Sequence, residues 1–393
     1  MISVYIHIPF CVKRCAYCDF ITYVGMDKYL MEYAKAVASE ISIVGKSNDW
    51  KMRVGTIFFG GGTPSLLPAD GYKIIFEALR MNFEFLENPE ISIEANPGTV
   101  IKSELSKLVN LGVNRLSLGV QSLNSSDLVK LGRIHDVYDV LSSIRIAHQV
   151  GIHNVNLDLI FGLPWQSLDA WKNTLEQAIV LNPEHLSLYC LTIEPETRLA
   201  YWIGKGLFPN QDDDLAADMY IYAMERLENA GYQHYEISNW AKGGQYEARH
   251  NLQYWLNLPY LGFGAGAHSS MGHYRTENIQ TINPYIQAIN EASNVKNIFP
   301  NSPANIERIF IDQYVEMQET MMVGLRLVEL GVSNAAFQNR FGKDISDVFN
   351  NEILEVAALG LVEWVSEGND QRLRLTKKGR LLGNQVFMRF VGN

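Results

Sequence analysis

Residues 6 to 20 read IHIPFCVKRCAYCDF and contain three of the four cysteines of the chain. Cys11, Cys15 and Cys18 follow a short apolar run with the spacing CX3CX2C, so one loop supplies three thiols. Cysteines this close together cannot join distant segments by disulfide bonds, and three thiolates suit a soft metal or an iron–sulfur cluster that keeps one iron open. Zinc sites usually show four ligands, and His7 falls inside the predicted strand rather than in the loop. The spacing favours a cluster, with zinc binding and free or redox-active thiols as the alternatives.

Short apolar or β-branched runs alternate with helix-length amphipathic stretches through the first half of the chain. The predicted strands are Val4–Ile8, Val54–Phe59, Ile91–Glu94, Leu116–Val120, Val155–Ile160 and Leu186–Leu191. This alternation predicts an α/β fold with a parallel sheet, either doubly wound or curled into a barrel. Polar residues at the strand ends favour a barrel-like sheet, because α/β barrels collect functional groups there. Cys190 lies in the last run and is expected to be a buried apolar residue.

The repeat stops after Pro195, and the remaining chain follows another pattern. From Ile306 on, three predicted helices precede two strand-like runs that are split by Glu367-Gly368-Asn369-Asp370. The helices are predicted around Tyr314–Leu325, Val332–Phe341 and Ile345–Ala358, and the strands around Leu361–Val365 and Leu373–Thr376. This order predicts a C-terminal winged-helix-like helical domain. We expect three domains, over residues 1–200, 201–300 and 301–393.

The composition limits the classes of function. The formal net charge is −10, which argues against nucleic-acid binding, because phosphate contacts need clustered lysines and arginines. We therefore interpret the C-terminal domain as a packing or partner-docking module. No apolar run approaches the roughly 20 residues of a membrane span, and a strand pattern from Ser3 leaves no room for a targeting peptide. We expect a cytoplasmic protein that is not itself transmembrane.

The motif YIHIPFC at residues 5–11, followed by Cys15 and Cys18, resembles the opening of radical S-adenosylmethionine (SAM) proteins. The similar branch contains oxygen-independent coproporphyrinogen III oxidase and the HemW-type heme chaperones. Gly60-Gly61-Gly62-Thr63-Pro64 resembles the glycine motif of this family, and RLTKKGR at 374–380 resembles its C-terminal region. The resemblance implies a partial six-stranded (β/α) barrel and a [4Fe–4S] cluster on the three cysteines. It also implies that the open iron chelates the amino and carboxylate groups of SAM.

Further residues match positions that line the cofactor in this family. The resemblance implies cofactor contacts by Tyr5, Tyr17, Gly61, Gly62, Thr63, Glu94, Gln121, Arg133 and Asp158. Glu94 would accept the ribose hydroxyls, and the guanidinium of Arg133 offers a bidentate fork for the cofactor carboxylate. Each residue alone also fits a turn, a helix cap or a surface charge. Their shared place at the ends of strands favours one common site.

Two features separate the branches of the family. The oxidase carries a fourth cysteine two residues after the third, where this chain has Phe20, and a long segment before the cluster motif, where this chain begins ten residues before Cys11. His250-Asn251-Leu252-Gln253-Tyr254-Trp255 resembles the HNxxYW signature that is associated with heme binding in HemW proteins. His250 is therefore the predicted axial ligand of heme, with His268 and His273 as alternatives. A structural histidine among core aromatics is the competing interpretation.

These features predict a heme chaperone that carries a [4Fe–4S] cluster and SAM, binds heme and passes it to acceptor hemoproteins. The resemblance implies that the acceptors include membrane-bound proteins. The alternative is coproporphyrinogen III oxidase activity, in which a deoxyadenosyl radical initiates the decarboxylation of propionates to vinyl groups. Phe20 and the short N-terminus weigh against this enzyme activity. A zinc-stabilised binding module is the third interpretation.

Overall fold

The computed structural model describes residues 1–48, 51–292 and 299–391. Its strands are β1 (Ile2–Ile8), β2 (Phe10–Cys11), β3 (Tyr23–Val24), β4 (Arg53–Gly61), β5 (Glu84–Ala95), β6 (Arg115–Gln121), β7 (Asn154–Phe161), β8 (His185–Cys190), β9 (Gln233–Glu236), β10 (Asn239–Ala241), β11 (Tyr260–Phe263), β12 (His268–Met271), β13 (Tyr274–Asn278), β14 (Asn305–Phe310), β15 (Val332–Ser333), β16 (Val362–Glu367) and β17 (Asp370–Leu375). Its helices are α1 (Leu30–Lys46), α2 (Ala69–Asn82), α3 (Lys102–Leu111), α4 (Ser125–Leu131), α5 (Val137–Gln149), α6 (Leu168–Leu181), α7 (Arg198–Gly204), α8 (Asp213–Asn229), α9 (Arg249–Trp255), α10 (Ile282–Glu291), α11 (Gln313–Gly324), α12 (Asn334–Phe341), α13 (Ile345–Ala358), α14 (Lys377–Leu381) and α15 (Gly383–Phe390).

The chain divides into two compact units, and each is assembled from two segments. The first unit comprises residues 1–219 and 259–309, and the second comprises residues 220–258 and 310–393. The three domains expected from the sequence remain a prediction, because a compact unit need not coincide with a domain. In the described residues we find no helix with the length and apolar character that crossing a membrane requires.

The first unit is built on the six strands that the sequence predicts. They lie in the order β1-β4-β5-β6-β7-β8, and each is parallel to its neighbour. Strand order follows chain order, as in an α/β barrel and unlike a doubly wound sheet. On the other side of β1, the sheet continues with β11 in parallel and then with the antiparallel strands β12 and β13. The predicted α/β fold with a partial six-stranded barrel is confirmed.

The helix α1 fixes the backbone at the end of β1. The hydroxyl of Tyr33 donates to the carbonyl of His7 at 2.8 Å and accepts from the N–H of Ala265 at 2.8 Å. Two turns further along the same face of α1, the buried carboxyl of Glu40 accepts from the N–H of Gly264 at 2.8 Å. Buried polar groups are costly unless they are paired, so these bonds fix the position of the loop after β11 relative to α1 and the end of β1.

The second unit contains the winged-helix-like arrangement that the sequence predicts. α11, α12 and α13 precede the hairpin of β16 and β17, where Trp364 pairs with Leu373 and the turn contains Gly368 at φ 60°. One detail of the prediction is wrong. The segment at Val332 begins as a short strand that pairs with β17, and α12 begins only at Asn334 because the hydroxyl of Ser333 caps it. A core of aromatic and aliphatic side chains joins these elements.

Candidate functional site

The cysteine loop is closed at its base by main-chain pairing. β2 runs parallel to β3, and Cys11 pairs with Val24. The buried imidazole of His7 donates from Nε2 to the carbonyl of Ile21 at 3.0 Å, so its Nδ1 accepts from the hydroxyl of Tyr5 at 3.0 Å. Burial lowers the pKa of His7, which keeps the ring neutral in this role. His7 therefore anchors the loop.

The three thiols of the loop face one cavity of about 410 Å³. Thr63 directs its hydroxyl at the sulfur of Cys11 over 3.7 Å, and Arg133 directs Nη1 at the sulfur of Cys15 over 3.1 Å. Burial raises the pKa of Cys11 and of Cys18, so a positive partner or a metal is needed to hold these thiols as thiolates. In the described residues no group of side chains converges on a single metal ion. A cluster is wider than one ion and binds each thiolate at a different iron, so this set of thiols suits a cluster better than zinc.

The glycine motif at the end of β4 forms the wall beside the thiols. A Cβ atom on Gly62 would lie 2.6 Å from the carbonyl oxygen of Phe10 and 3.0 Å from the sulfur of Cys11. Gly61 adopts φ 114°, and its N–H donates to Glu94 at 3.1 Å. Only residues without a side chain permit this close approach of two backbones. The motif thus sets how near the β4 turn comes to the cysteine loop.

Two half-buried carboxyl groups, Glu94 on β5 and Asp158 on β7, approach each other across the intervening strand β6. Burial and the negative charge of Asp158 raise the pKa of Glu94 to about 8. Burial likewise raises the pKa of Asp158, which accepts from Asn156 at 2.8 Å and from Ser117 at 3.1 Å. The buried cation Arg115, at the start of β6, offsets part of this negative charge. The cavity therefore has an acidic wall whose protonation depends on what binds there.

Arg133 lies just after α4, the helix that follows β6, and its side chain lines the first cavity. α4 ends at Gly132, which adopts φ 76°, and this left-handed turn directs the next residue back toward the barrel. The guanidinium of Arg133 donates to the side chain of Asn96 and to the carbonyl of Gly119 at 2.6 Å. Its Nε is buried and has no hydrogen-bond partner. A donor left unsatisfied in this way fits a site that awaits an anionic group.

Most of the predicted site residues meet in this cavity. Its walls include Cys11, Cys15, Cys18, Tyr17, Gly61, Gly62, Thr63, Glu94, Gln121, Arg133 and Asp158. Gln121 adopts φ 68°, a conformation that non-glycine residues rarely hold and that is often found at functional sites. Tyr5 is not among the residues that line the cavity, and its hydroxyl is hydrogen-bonded to Nδ1 of His7. The cofactor roles of all these residues remain predictions.

His250 lies in the second unit, on the short helix α9. Its side chain is buried, and its Nε2 lies 3.0 Å from the hydroxyl of Tyr254. The guanidinium of Arg326 stacks over the ring of Trp255 at 4.3 Å, while the Nε1 of Trp255 is buried without a hydrogen-bond partner. The alternative ligands His268 and His273 belong to the first unit.

Sequence reasoning missed two residues that line the first cavity, Asn96 and Cys190, and the buried Arg115, whose charge acts on the carboxyl groups there. Asn96 donates to Thr63 at 2.8 Å and accepts from Arg133, and its place two residues after Glu94 on the same face of the chain is a signal that could have revealed it. Arg115 gave no signal, because a lone arginine before an apolar run also fits a surface position. Cys190 was predicted wrongly. It is exposed and lines the cavity, because the last two residues of β8 are uncovered.

Comparison with known proteins agrees with this geometry. The Radical SAM superfamily matches residues 5–178, and the HemN C-terminal domain matches residues 311–382. The chain is 37% identical to the heme chaperone HemW of Bacillus subtilis over the whole length of both proteins, and 40% identical to that of Escherichia coli over 69% of this chain and 70% of the relative. The structure of the radical SAM enzyme coproporphyrinogen III oxidase from Escherichia coli superposes with a TM-score of 0.83, at 26% identity, over 99% of this chain and 89% of that one. The chain belongs to the HemW family of radical SAM proteins.

Proposed function

We propose that this protein is a heme chaperone that carries a [4Fe–4S] cluster and SAM in the first unit and transfers heme to acceptor hemoproteins. The observation that carries the proposal is the whole-length similarity to the heme chaperone of Bacillus subtilis. The cavity of the first unit supports the cofactor part, because three thiols, a glycine turn, two carboxyls and a guanidinium line it together. The site of action is the cytoplasm, and the acceptors include membrane-bound hemoproteins.

The residues of the first cavity divide the work of holding the cofactors. Cys11, Cys15 and Cys18 would hold the cluster, which would supply an open iron for the amino and carboxylate groups of SAM. Arg133 pairs with the carboxylate through its unsatisfied Nε, and its bonds to Gly119 and Asn96 keep the guanidinium in place. Glu94 accepts the ribose hydroxyls.

Heme ligation is assigned to His250. A neutral imidazole is a good axial ligand for heme iron, but the Nε2 of His250 is engaged with the hydroxyl of Tyr254. Heme iron can therefore bind the Nε2 of His250 only after the hydrogen bond to Tyr254 is broken.

Titration with hemin tests this assignment. The variant His250→Ala should bind hemin about tenfold more weakly and shift the Soret band, because the iron loses its axial nitrogen. His153→Ala is the matched control, since it removes an exposed histidine of the other unit that is not a candidate ligand, and its spectrum should be that of the wild type. An unchanged Soret band and affinity in His250→Ala would sink the assignment.

Oxidase activity is the second candidate, and the superposition with coproporphyrinogen III oxidase favours it. Phe20 argues against it, because this side chain is 63% exposed at the rim of the cavity where the oxidase has a fourth cysteine. Anaerobic assay of the reduced, reconstituted protein for protoporphyrinogen decides between the two. Sustained turnover would replace the chaperone proposal, and an iron and sulfide content near zero would favour the zinc-stabilised module.

A further inference from the structure

The second unit contains a cavity that is separate from the proposed cofactor site and has no function assigned so far. Its volume is about 820 Å³, within the roughly 300–1,000 Å³ that is usual for small-molecule and cofactor sites. Apolar and aromatic groups form much of its wall, and they include Ile221, Met224, Tyr232 and Leu252. A wall of this composition suits a flat, largely apolar ligand.

The segment that carries His250 forms part of this wall. Glu247 and Leu252, which lie three residues before and two residues after His250, both line the cavity. Leu252 belongs to α9, the helix that also carries Tyr254. His250 itself is buried and does not line the cavity, and it lies on the face of α9 opposite Leu252, so ligation of heme in this cavity requires α9 to rotate as His250 leaves Tyr254.

Three basic residues meet at another part of the wall. Lys377, Lys378 and Arg380 all come from the short helix α14. The guanidinium of Arg380 makes only long contacts, at 3.4 Å to Nδ1 of His234, 3.4 Å to the carbonyl of Val328 and 3.5 Å to Glu329. Its Nε is buried without a partner. Lys378 donates to the carbonyl of Leu359 at 2.9 Å, a neutral partner that does not compensate its charge, so the three cations remain available to carboxylates that enter the cavity.

Acidic residues also line the cavity, but they come from other elements. Glu225 and Glu228 lie on α8, and Glu247 precedes α9. Burial raises the pKa of Glu247, which lowers its tendency to carry charge. Glu329 lies within 3.8 Å of Arg374 and 3.5 Å of Arg380, so its charge is partly offset. The positive charge is therefore concentrated at α14.

We propose that this cavity holds the heme that the chaperone carries, with the macrocycle on the apolar wall and the propionates on Lys377, Lys378 and Arg380. The inference rests on the proposed function and adds the part of the molecule that recognises the two carboxylates. The ligand class is an iron porphyrin with free propionates. A porphyrin whose carboxylates are blocked is bound less tightly, because it leaves the α14 cations without partners.

Hemin and hemin dimethyl ester distinguish these contacts, since the two ligands share the iron and the macrocycle but only hemin has carboxylates. The full-length protein is titrated with each ligand and followed at the Soret band. The variant Lys377→Gln/Lys378→Gln removes two exposed charges without touching the hydrogen bonds of Arg380. The control Lys343→Gln/Arg389→Gln removes the same charge from exposed positions of the same unit that do not line the cavity.

The wild type should bind hemin about tenfold more tightly than the ester, and the lysine variant should lose most of this preference while its ester affinity stays the same. The control should keep the preference. Circular dichroism melts establish that both variants are folded. Equal affinity of the wild type for the two ligands, or the same loss in the control, would overturn the inference. If the wild type shows a His250-dependent Soret band without any preference for hemin, the inference fails and the proposed function stands; if it binds neither ligand, both fail.

Discussion

The two cavities of the molecule are built in different ways. In the first unit, the walls come from the carboxyl ends of successive parallel strands, so chain order and spatial order agree. In the second unit, the walls come from α8, β9, α9 with the residues before it and the distant helix α14, which are not successive strands of one sheet. The first cavity is thus a consequence of the barrel topology, whereas the second depends on how separate segments pack. Sites of the first kind are visible in a sequence and those of the second kind are not.

The largest effect is expected from the thiols of the first cavity. Replacement of Cys11, Cys15 or Cys18 by alanine should abolish nearly all bound iron and sulfide after anaerobic reconstitution, because each holds one iron of the cluster. The control Cys190→Ala removes the fourth cysteine, which faces the same cavity, and should keep the wild-type iron content. Equal losses in Cys190→Ala would show that the cysteines of this wall are interchangeable and that the loop does not define the cluster.

Gly62→Ala tests whether close backbone approach shapes this cavity. The added Cβ would meet the carbonyl of Phe10 at 2.6 Å, and backbone cannot move aside as a flexible side chain can. We expect a loss of about 2 kcal/mol in stability, typical of overpacking, and at least about tenfold weaker SAM binding. Gly204→Ala is the control, since its Cβ would meet nothing within 4 Å. Calorimetric titration with SAM measures the difference, and wild-type affinity in Gly62→Ala would contradict the proposed role of the turn.

The same contrast explains how much the sequence predicts. Residues at strand ends, such as Glu94 and Asp158, are placed together by periodicity alone, because parallel strands end at one edge. Arg115 escapes this reasoning, since only the register of β6 against β5 and β7 shows that it lies inside. The exposure of Cys190 could not be predicted either, because an apolar run does not show which residues of a strand are covered by neighbouring elements.

The second unit gives fewer signals. The helices and the hairpin of its C-terminal segment follow from local pattern, and these predictions are confirmed. Its cavity joins Ile221 to Lys378 across more than 150 positions of the chain. Such a contact arises from tertiary packing and produces no periodic pattern in the sequence. The motif at His250 points to the region but not to the cations of α14.

Glu94→Gln should change the pH dependence of stability in the first unit. The folded-state pKa of Glu94 is raised to about 8 from an ordinary 4.5, so the folded protein keeps a proton that the unfolded chain releases above about pH 4.5. Stability of the wild type without ligands therefore falls as the pH rises from 4.5 to 8. Glutamine has no such proton to lose, so the variant should gain about 2 kcal/mol, or several degrees in Tm, at pH 8.5 and little at pH 4.5.

Thermal melts at the two pH values measure this gain. Glu87→Gln is the control, because Glu87 is an exposed residue of the same strand, and its Tm should match the wild type at both values. A gain for Glu94→Gln that is equal at pH 4.5 and pH 8.5 would show that packing rather than protonation is responsible. The variant should still bind SAM more weakly, since the amide replaces one acceptor of the ribose hydroxyls by a donor.

Of these variants, Tyr254→Phe should have the smallest effect. It tests whether the hydrogen bond between Tyr254 and His250 competes with heme binding in the second unit. Removing the hydroxyl deletes its hydrogen bond to the Nε2 of His250 and keeps the aromatic ring, so hemin affinity should rise about fivefold, the equivalent of one neutral hydrogen bond of about 1 kcal/mol. Tyr314→Phe, at a position that is 53% exposed in α11, removes a hydroxyl from the same unit and should leave affinity unchanged. In the variant His250→Ala/Tyr254→Phe the gain should vanish, because the bond has already lost its partner. A gain that survives in the double variant would mean that Tyr254 acts on the heme directly rather than by holding His250 closed.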